Sequence, residues 1–401
     1  MYNAMLKYFV IILVCVCNSL FSQKNNIPIF AFHGVPPGDF STKEQFLTMK
    51  NAGIDICYTV FNSKEEVIKA LNASHAAGTK LIISIRTLQI DIKEAIRLFK
   101  DHPGLYGYAL IDEPPPSEFP NLKELILEIR KYDTKHAIYI NLFPNYVSST
   151  VIDNLSYEKY VKNFITQVPV EFISFDHYPI VGNEIRNTWY ENLEIIRKIS
   201  YQKNLPFWAF ACSTIHYNYL QPNLSGLKLQ QFSNLLYGAQ VLQYFTYWTL
   251  TYEYNWTKEK YGYSIVDDKG NPTPTYHIVK KVNEQIQKLA WVFLGAKADA
   301  VFHTGNEIPQ GTKKLSSLPD RFKFFSTYGM NALVSFMTNG KRKFIIVQNK
   351  SLTDDLTLEY QFDKPMKKVN NTSGKIVNLS ISKRYKTDIL PGDILIFTYG
   401  N

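Results

Sequence analysis

The chain has 401 residues, with 44 lysines and arginines against 35 aspartates and glutamates, so its formal net charge is +9 at pH 7. This length accommodates one barrel of about 250 residues together with a smaller domain. No lysine- or arginine-rich run occurs, which argues against nucleic acid as a partner, whereas a basic protein suits an anionic polysaccharide. Lysines scattered over the surface explain the same composition equally well.

Residues 1–23 are predicted to be a secretory signal peptide. Lys7 precedes an apolar run over residues 8–17, and this run is too short to span a bilayer. We therefore expect a periplasmic or secreted protein without a membrane span. Only Cys57 and Cys212 remain after removal of this segment, and both lie in apolar runs, which favours free buried thiols over a disulfide.

From residue 24 to residue 294, short apolar segments alternate with helical segments. The predicted strands cover residues 28–33, 55–61, 81–85, 105–113, 137–142, 172–178, 206–212 and 242–249. The predicted helices cover residues 42–52, 63–78, 91–102, 120–132, 160–168, 189–201, 227–240 and 275–294. Apolar strands that alternate with helices are typical of a parallel sheet covered on both faces, and eight such pairs predict a closed (β/α)8 barrel.

The hydrophobic period changes to two at about residue 295, which marks a second domain over residues 295–401. Segments 332–337 and 343–348 flank an Asn339-Gly340 pair, a strong signal for a hairpin turn. Further strands are predicted over residues 356–362 and 393–399. The fold class is therefore α/β, a TIM barrel over residues 24–294 followed by a small antiparallel β-sandwich that carries no catalytic cluster.

The fourth predicted strand ends in two adjacent carboxylates, Asp112 and Glu113, and prolines stop it at once. Successive side chains of a strand point to opposite faces, so these two carboxylates are not expected to face the same way. Active sites of barrels form at the carboxyl ends of the strands. The other strand tips supply further polar and aromatic candidates: His33, Arg86, Asn141, Asp176, His177, Tyr178, Trp248 and Glu253. Metal-ligand spacings and phosphate-binding glycine motifs do not occur, so neither a metal nor a cofactor is expected.

Two of these carboxyl groups suit glycosidic chemistry, which needs one protonated and one ionised carboxyl. Glu113 is the predicted general acid, and Asp176 is the predicted second carboxylate. At about 4.8 Å per strand, the tips of the fourth and sixth strands would lie roughly 9–10 Å apart, which suits inversion with a water molecule between the carboxyls. The alternative for Asp176 is a hydrogen-bond anchor for His177 or for a loop amide.

The segment that runs from Gly107-Tyr108 into Asp112-Glu113-Pro114 resembles the strand-four signature of the TIM-barrel glycoside hydrolases. The resemblance is to the β-galactosidase and endoglycanase type of barrel found in polysaccharide-degrading bacteria, and it covers residues 27–294. It implies that Glu113 is the acid/base, and Asp112 stands where that superfamily usually has Asn.

Two other positions bear on this resemblance. Trp248 at the end of the eighth strand matches the superfamily's substrate-platform tryptophan. The superfamily's nucleophile is a glutamate at the tip of strand seven, but residues 207–214 contain no carboxylate. Ordinary double displacement is therefore not implied, although Glu253, after the eighth strand, is a candidate to replace the absent acid.

The missing nucleophile leaves three readings open. The leading one is an exported glycoside hydrolase that degrades poly- or oligosaccharides, including anionic ones, with His177 as a further catalytic residue and His33, Asn141 and Tyr178 as substrate contacts. The second is a lyase or dehydratase that forms an unsaturated sugar from uronate-containing oligosaccharides. In that reading Arg86 holds the carboxylate while His177 or Tyr178 moves the proton. The third is a glycan-binding pseudo-enzyme.

Overall fold

The structure is a computed structural model that describes residues 26–86, 91–251, 254–258 and 261–400. The predicted signal peptide and Glu253 lie outside the described residues. Among the helices within these ranges, none has the length and apolar character needed to cross a membrane.

Eight parallel strands close into a barrel, which confirms the predicted fold class. The strands are β1 (Ile29–Ala31), β2 (Ile56–Thr59), β3 (Lys80–Ser84), β4 (Leu105–Asp112), β5 (Ala137–Leu142), β6 (Ile173–Phe175), β7 (Phe207–Cys212) and β8 (Val241–Phe245). Each strand pairs with its neighbours in sequence, and β8 pairs with β1 to close the ring. The carboxyl ends of all eight strands therefore meet at one opening, which we call the mouth.

One main helix follows each strand. These helices are α1 (Lys43–Asn51), α2 (Lys64–Ala77), α3 (Ile92–Phe99), α4 (Phe119–Arg130), α5 (Tyr157–Gln167), α6 (Trp189–Lys203), α7 (Leu224–Leu236) and α8 (Pro274–Lys288). The side chains of Thr42, Ser63 and Asn223 cap α1, α2 and α7, each accepting a hydrogen bond from the third backbone amide of its helix. The apolar faces of the eight helices pack on the outside of the barrel and form the main core.

A chain of buried hydrogen bonds crosses the barrel interior just below the mouth. The Tyr139 hydroxyl donates to Gln243 Oε1 at 3.0 Å, and Gln243 Nε2 donates to Ser174 Oγ at 2.9 Å. Ser174 Oγ in turn donates to Asn141 Oδ1 at 2.9 Å. Because the carbonyl oxygen of the Asn141 side chain is held from below, its amide nitrogen is directed toward the mouth.

The C-terminal part consists of two antiparallel sheets, as predicted. Its strands are β9 (Lys297–His303), β10 (Phe322–Ser326), β11 (Ala332–Asn339), β12 (Arg342–Asn349), β13 (Leu356–Phe362), β14 (Met366–Val369), β15 (Ile376–Leu379), β16 (Tyr385–Ile389) and β17 (Ile394–Tyr399). The larger sheet has the order β9-β11-β12-β17-β14-β15, and the smaller has the order β10-β13-β16. A separate apolar core fills the space between them. Gly340 has a φ of +59° and lies in the turn between β11 and β12.

A buried ion pair joins the barrel to this sandwich. Lys228 Nζ on α7 lies 2.6 Å from Asp393 Oδ2, just before β17, and both side chains are buried. Gln285 Nε2 on α8 donates to the other carboxylate oxygen at 3.0 Å. Removal of the lysine would leave the buried carboxylate without its cation.

We therefore expect Lys228→Met to lower the free energy of unfolding by about 3–5 kcal/mol. Denaturant unfolding measures this change. Lys162→Met is the matched control, because it removes a surface lysine paired with Glu158 and should change stability by no more than about 0.5 kcal/mol. A loss at Lys228 no larger than that of the control would contradict the prediction.

Candidate active site

A bulge at the end of β4 determines which way Asp112 faces. The register between β4 and β5 shifts between Ala109 and Ile111, and both Leu110 and Ile111 pack against the outer core. The next residue, Asp112, is exposed, and its carboxylate accepts a hydrogen bond from the Asn141 side chain. The extra residue in the strand thus brings Asp112 to the mouth, a known effect of bulges near active sites.

Glu113 follows in a left-handed backbone conformation, with a φ of +51°. Its backbone N–H donates to the Asn141 carbonyl oxygen at 2.8 Å, which ties this turn to β5. The strand alternation ends at Asp112, and the Glu113 carboxyl is within hydrogen-bonding reach of Asp176. The expectation that Asp112 and Glu113 face opposite ways is therefore wrong. Left-handed residues other than glycine are costly and cluster at functional sites.

Asp176 completes a group of three carboxyls. It follows β6, its side chain is buried, and Asn141 Nδ2 donates to its Oδ1 at 2.9 Å. Asn141 therefore lies between Asp112 and Asp176 and contacts both. The carboxyl groups lie closer together than the 9–10 Å predicted for the strand tips, because the side chains from β4 and β6 lean toward each other over β5.

The pKa values of all three carboxyls are raised, and repulsion between carboxylates contributes for Glu113 and Asp176. The pKa of Glu113 is raised to about 7, first by burial and then by the charge of Asp112, and the hydrogen bond with Asp176 opposes this. Burial and then the charges of Glu113 and Asp112 raise the pKa of Asp176 well above its usual range. Partial loss of hydration at the mouth also raises the pKa of Asp112. The hydrogen bond from Asn141 opposes this shift. The Glu113–Asp176 pair therefore holds a proton at neutral pH.

The structure places His177 behind the strand and not with these carboxyls. Its side chain is 1% exposed, and Nδ1 lies 3.0 Å from Asn192 Oδ1 on α6. Asn192 Oδ1 also accepts from the Asn145 backbone N–H at 2.8 Å, so His177 is the donor and carries its hydrogen on Nδ1. Burial lowers the pKa of His177 to about 3, which keeps the ring neutral. The assignment of His177 as a catalytic group therefore needs correction, since it is a packing residue.

Three other predicted contacts lie at or near the mouth. His33 is half-buried, with a φ of +47°, and burial lowers its pKa to about 4. Tyr178 faces the barrel interior, where burial and then the charge of Asp176 raise its pKa well above its usual range. Arg86 is exposed at the end of β3, and its Nη1 donates to the Leu110 carbonyl oxygen at 3.4 Å.

The aromatic surface at the end of β8 belongs to Phe245 and not to Trp248. Trp248 is 1% exposed and packs in the outer core, with its ring 5.0 Å from that of Phe40, so its assignment as a sugar platform is wrong. β8 ends at Phe245, whose half-buried ring lies 5.3 Å from Tyr178 and 5.9 Å from His33. The predicted strand ran four residues too far, which shifted the expected platform to Trp248.

Strand β7 ends in a cysteine. Cys212 Sγ donates to the Thr214 carbonyl oxygen at 3.3 Å, and burial raises the pKa of this thiol to about 12. The position where the resembling superfamily has its nucleophile therefore holds a neutral thiol. No three His, Cys, Asp or Glu side chains of the described residues are arranged to hold a metal ion.

The sequence analysis missed a basic and aromatic group at the rim of the mouth. Arg186 lies in the loop between β6 and α6, after a small hairpin of Ile180–Val181 and Glu184–Ile185. Its Nη2 donates to the Tyr219 hydroxyl at 3.0 Å, and its guanidinium carbon lies 4.2 Å from the centre of the Tyr146 ring. Strand tips can be located from the apolar pattern, whereas these side chains come from the loops that follow β5, β6 and β7.

Sequence comparisons give no relatives: no protein-family model matches the chain, and neither does any curated protein. Solved structures do match. A structure described as a glycoside hydrolase has a TM-score of 0.58 at 10% identity, over 94% of this chain and 92% of its own. A glycoside hydrolase family 5 structure from Bacteroides vulgatus has a TM-score of 0.56 at 11% identity, over 94% and 89%.

A β-galactosidase from the psychrophilic Marinomonas ef1 is similar over a smaller part of the chain. It has a TM-score of 0.48 at 10% identity, over 66% of this chain and 60% of its own, so the chain spans about three fifths of that enzyme. The two more similar structures cover the barrel and most of the β-sandwich. These comparisons and the closed eight-stranded ring show that the chain has the fold of the TIM-barrel glycoside hydrolases.

Proposed function

We propose that this protein is an exported glycoside hydrolase that cleaves poly- or oligosaccharides, with Glu113 as its general acid. The observation that carries the proposal is the convergence of Asp112, Glu113 and Asp176 at the mouth, where the pKa of Glu113 is raised to about 7. The solved glycoside hydrolases with this fold support the substrate class. Export rests on the sequence of residues 1–23.

The shared proton is the chemical basis of the proposal. A general acid works best when its pKa lies near the working pH, and burial and then the charge of Asp112 raise the pKa of Glu113 to about 7. Protonated Glu113 then donates to the glycosidic oxygen as that bond breaks. Asp176 is left ionised, and it stabilises the positive charge that develops on the sugar or takes a proton from the attacking water.

A bound sugar has to separate Glu113 from Asp176. Catalytic carboxyls of glycosidases stand about 5–5.5 Å apart in retaining enzymes and about 6.5–9.5 Å apart in inverting ones. Two carboxyls in hydrogen-bond contact are closer than either distance. Asn141 remains bonded to Asp176, so we propose that Glu113 is the group that moves.

The walls of the mouth suit a sugar ring. Phe245 and Tyr178 present aromatic surface beside the carboxyls, and such surface packs against the apolar faces of sugars. His33 stands next to Phe245 as a neutral ring. The lyase reading has less support, because His177 lies behind the strand and the pKa of Tyr178 is moved further from neutrality.

Product masses test the proposal. The mature protein is incubated with acidic and neutral plant and algal oligosaccharides, and the products are weighed by mass spectrometry. Hydrolysis adds one water for each bond cleaved, which is the expected result. Products with an unsaturated end, or products that have lost water, would overturn hydrolysis in favour of elimination. Binding without any product would leave a glycan-binding protein.

We expect Cys212→Ala to retain hydrolytic activity within about threefold, because a thiol with a pKa of about 12 is not ionised at neutral pH and is a poor nucleophile. Initial rates on the cleaved oligosaccharide measure this. Cys57→Ala is the control, since Cys57 is also buried with a pKa raised to about 12. Loss of turnover in Cys212→Ala alone, with the fold intact, would contradict the assignment of Glu113 and Asp176.

A further inference from the structure

Arg186 is a cation without an acidic partner at the rim of the mouth. It is half-buried, its Nε is buried without a hydrogen-bond partner, and Nη2 donates only to the neutral hydroxyl of Tyr219. Among the described residues, no carboxylate lies within ion-pair distance of its guanidinium group. Buried or half-buried arginines are normally paired, so this arrangement calls for an anion from elsewhere.

The position of Arg186 links it to the carboxyl site. Burial and then the charge of Asp176 raise the pKa of Tyr146, whose ring lies beneath the guanidinium. On the other side, the Tyr219 ring lies 5.7 Å from Tyr178, which lines the mouth. The charge of Asp176 thus acts on Tyr146, which contacts Arg186, and on Tyr178, which contacts Tyr219.

Arg186 is oriented by contacts that leave its charge unneutralised. The face of the Tyr146 ring holds the guanidinium by a cation–π contact, and the Tyr219 hydroxyl fixes one nitrogen. Asp176 is not its counter-ion, because that carboxyl bonds to Asn141 and has a raised pKa, whereas an ion pair would lower it. The remaining N–H groups form a planar fork that matches a carboxylate.

A cavity adjoins Tyr219, whose hydroxyl accepts a hydrogen bond from Arg186. Tyr219 also lines a cavity of about 310 Å³, together with polar residues of the loops after β6 and β7, among them Asn183, Gln221 and Asn223. Cavities that hold small ligands begin at about this volume. The amide side chains around this cavity suit the hydroxyl groups of a sugar.

We propose that Arg186 binds the carboxylate of a uronic-acid unit in the glycan, held next to the bond that Glu113 and Asp176 act on. The inference rests on the proposed function and names its substrate class. Tyr146 and Tyr219 are positioning residues that hold the guanidinium. The net charge of +9 favours the approach of such an anionic polymer.

The test compares acidic oligosaccharides with the same oligosaccharides after chemical reduction of their carboxyl groups. The probes are galacturonate, glucuronoxylan and alginate oligosaccharides, each with its carboxyl-reduced partner, and a sulfated and desulfated carrageenan pair. The wild-type protein is expected to prefer the carboxylated member, both in calorimetric binding and in kcat/KM. Preference for the sulfated probe alone would overturn the assignment to a uronate.

Variants of Arg186 test whether this residue causes the preference for carboxylated substrates. Arg186→Gln is expected to lower kcat/KM on the carboxylated substrate by about 10- to 100-fold, mainly through KM, and on its reduced partner by less than about threefold. Arg186→Lys keeps the charge but loses the planar fork, so its effect should lie between wild type and Arg186→Gln. Arg97→Gln on the exposed face of α3 is the control and should behave as wild type. Thermal unfolding of each variant checks that the fold is intact.

The outcomes separate this inference from the proposed function. Glu113-dependent cleavage of neutral glycans, with equal loss on both partners in Arg186→Gln, would overturn the uronate subsite and leave the hydrolase standing. Carboxylate-dependent binding that Arg186→Gln abolishes, without any cleavage, would support the subsite and overturn the hydrolase. Failure of the wild type to bind any of these probes would overturn both.

Discussion

Replacement of Glu113 by Gln is expected to lower the rate of glycan hydrolysis by about 10²- to 10⁴-fold, the usual contribution of a positioned general acid. Gln has nearly the same shape and keeps hydrogen-bonding capacity toward Asp176, but it has no proton to give to a leaving oxygen. Binding of the oligosaccharide should therefore survive. Initial rates and calorimetric affinities on the same substrate separate the two effects.

Glu128→Gln controls for the chemistry of the substitution. Glu128 is half-buried on α4 and pairs with Lys131 on the surface, so its replacement should leave both rate and affinity unchanged. If Glu113→Gln turned over substrate as fast as this control, Glu113 would not be the acid. Loss of both rate and binding, with the fold intact, would instead make Glu113 a substrate contact.

The pH profile gives an independent view of the same group. A general acid must be protonated, and the pKa of Glu113 is raised to about 7, so activity should fall as pH rises through about 7. The charge of Asp112 is one cause of this raised pKa. In Asp112→Asn the repulsion is removed, the pKa of Glu113 falls, and the alkaline limb of the profile should move to lower pH.

The barrel was predictable because its physical signal is regular. Apolar strands in alternation with helices recur eight times, and the closed parallel ring follows from that pattern. The Asn339-Gly340 pair similarly predicted the hairpin between β11 and β12. The fourth strand was expected to end at Glu113, and it ends one residue earlier, at Asp112. Features that repeat at a fixed period along the chain were thus readable from the residues alone.

The geometry of the site was not predictable, because it depends on two departures from regularity. The bulge at Leu110 and the left-handed conformation of Glu113 each reverse the direction of the side chains that follow, and neither residue type favours that conformation. Because β8 ends a few residues earlier than predicted, the aromatic residue at its end is Phe245 and not Trp248. Arg186 lies in a loop whose path depends on tertiary contacts. A prediction that continues the side-chain alternation of a strand past such an irregularity therefore assigns the following residues to the wrong face of the sheet.

Asp176→Asn is expected to stabilise the protein while it lowers the rate of hydrolysis. Burial and two neighbouring carboxyls raise the pKa of Asp176 well above its usual range, so the folded protein holds a proton that the unfolded chain releases above a pH of about 4. Each rise in pH above that value therefore weakens the fold. Asn stays neutral, and its side-chain oxygen still accepts from Asn141. The gain in unfolding free energy should be near zero at pH 3.5 and reach about 1–2 kcal/mol at pH 8.

Asp133→Asn is the control of opposite sign. Burial acts to raise the pKa of Asp133, but hydrogen bonds from His136, the Lys135 amide and Tyr108 outweigh it and lower the pKa. Ionised Asp133 therefore stabilises the fold above the pKa it has in the unfolded chain, and Asp133→Asn should destabilise the protein at pH 8 and lose that effect as the solution is acidified. Denaturant unfolding of both variants from pH 3.5 to pH 8 measures the two slopes. If Asp176→Asn followed the slope of Asp133→Asn, Asp176 would be an ionised anchor, and the shared proton on which the proposed acid depends would not exist.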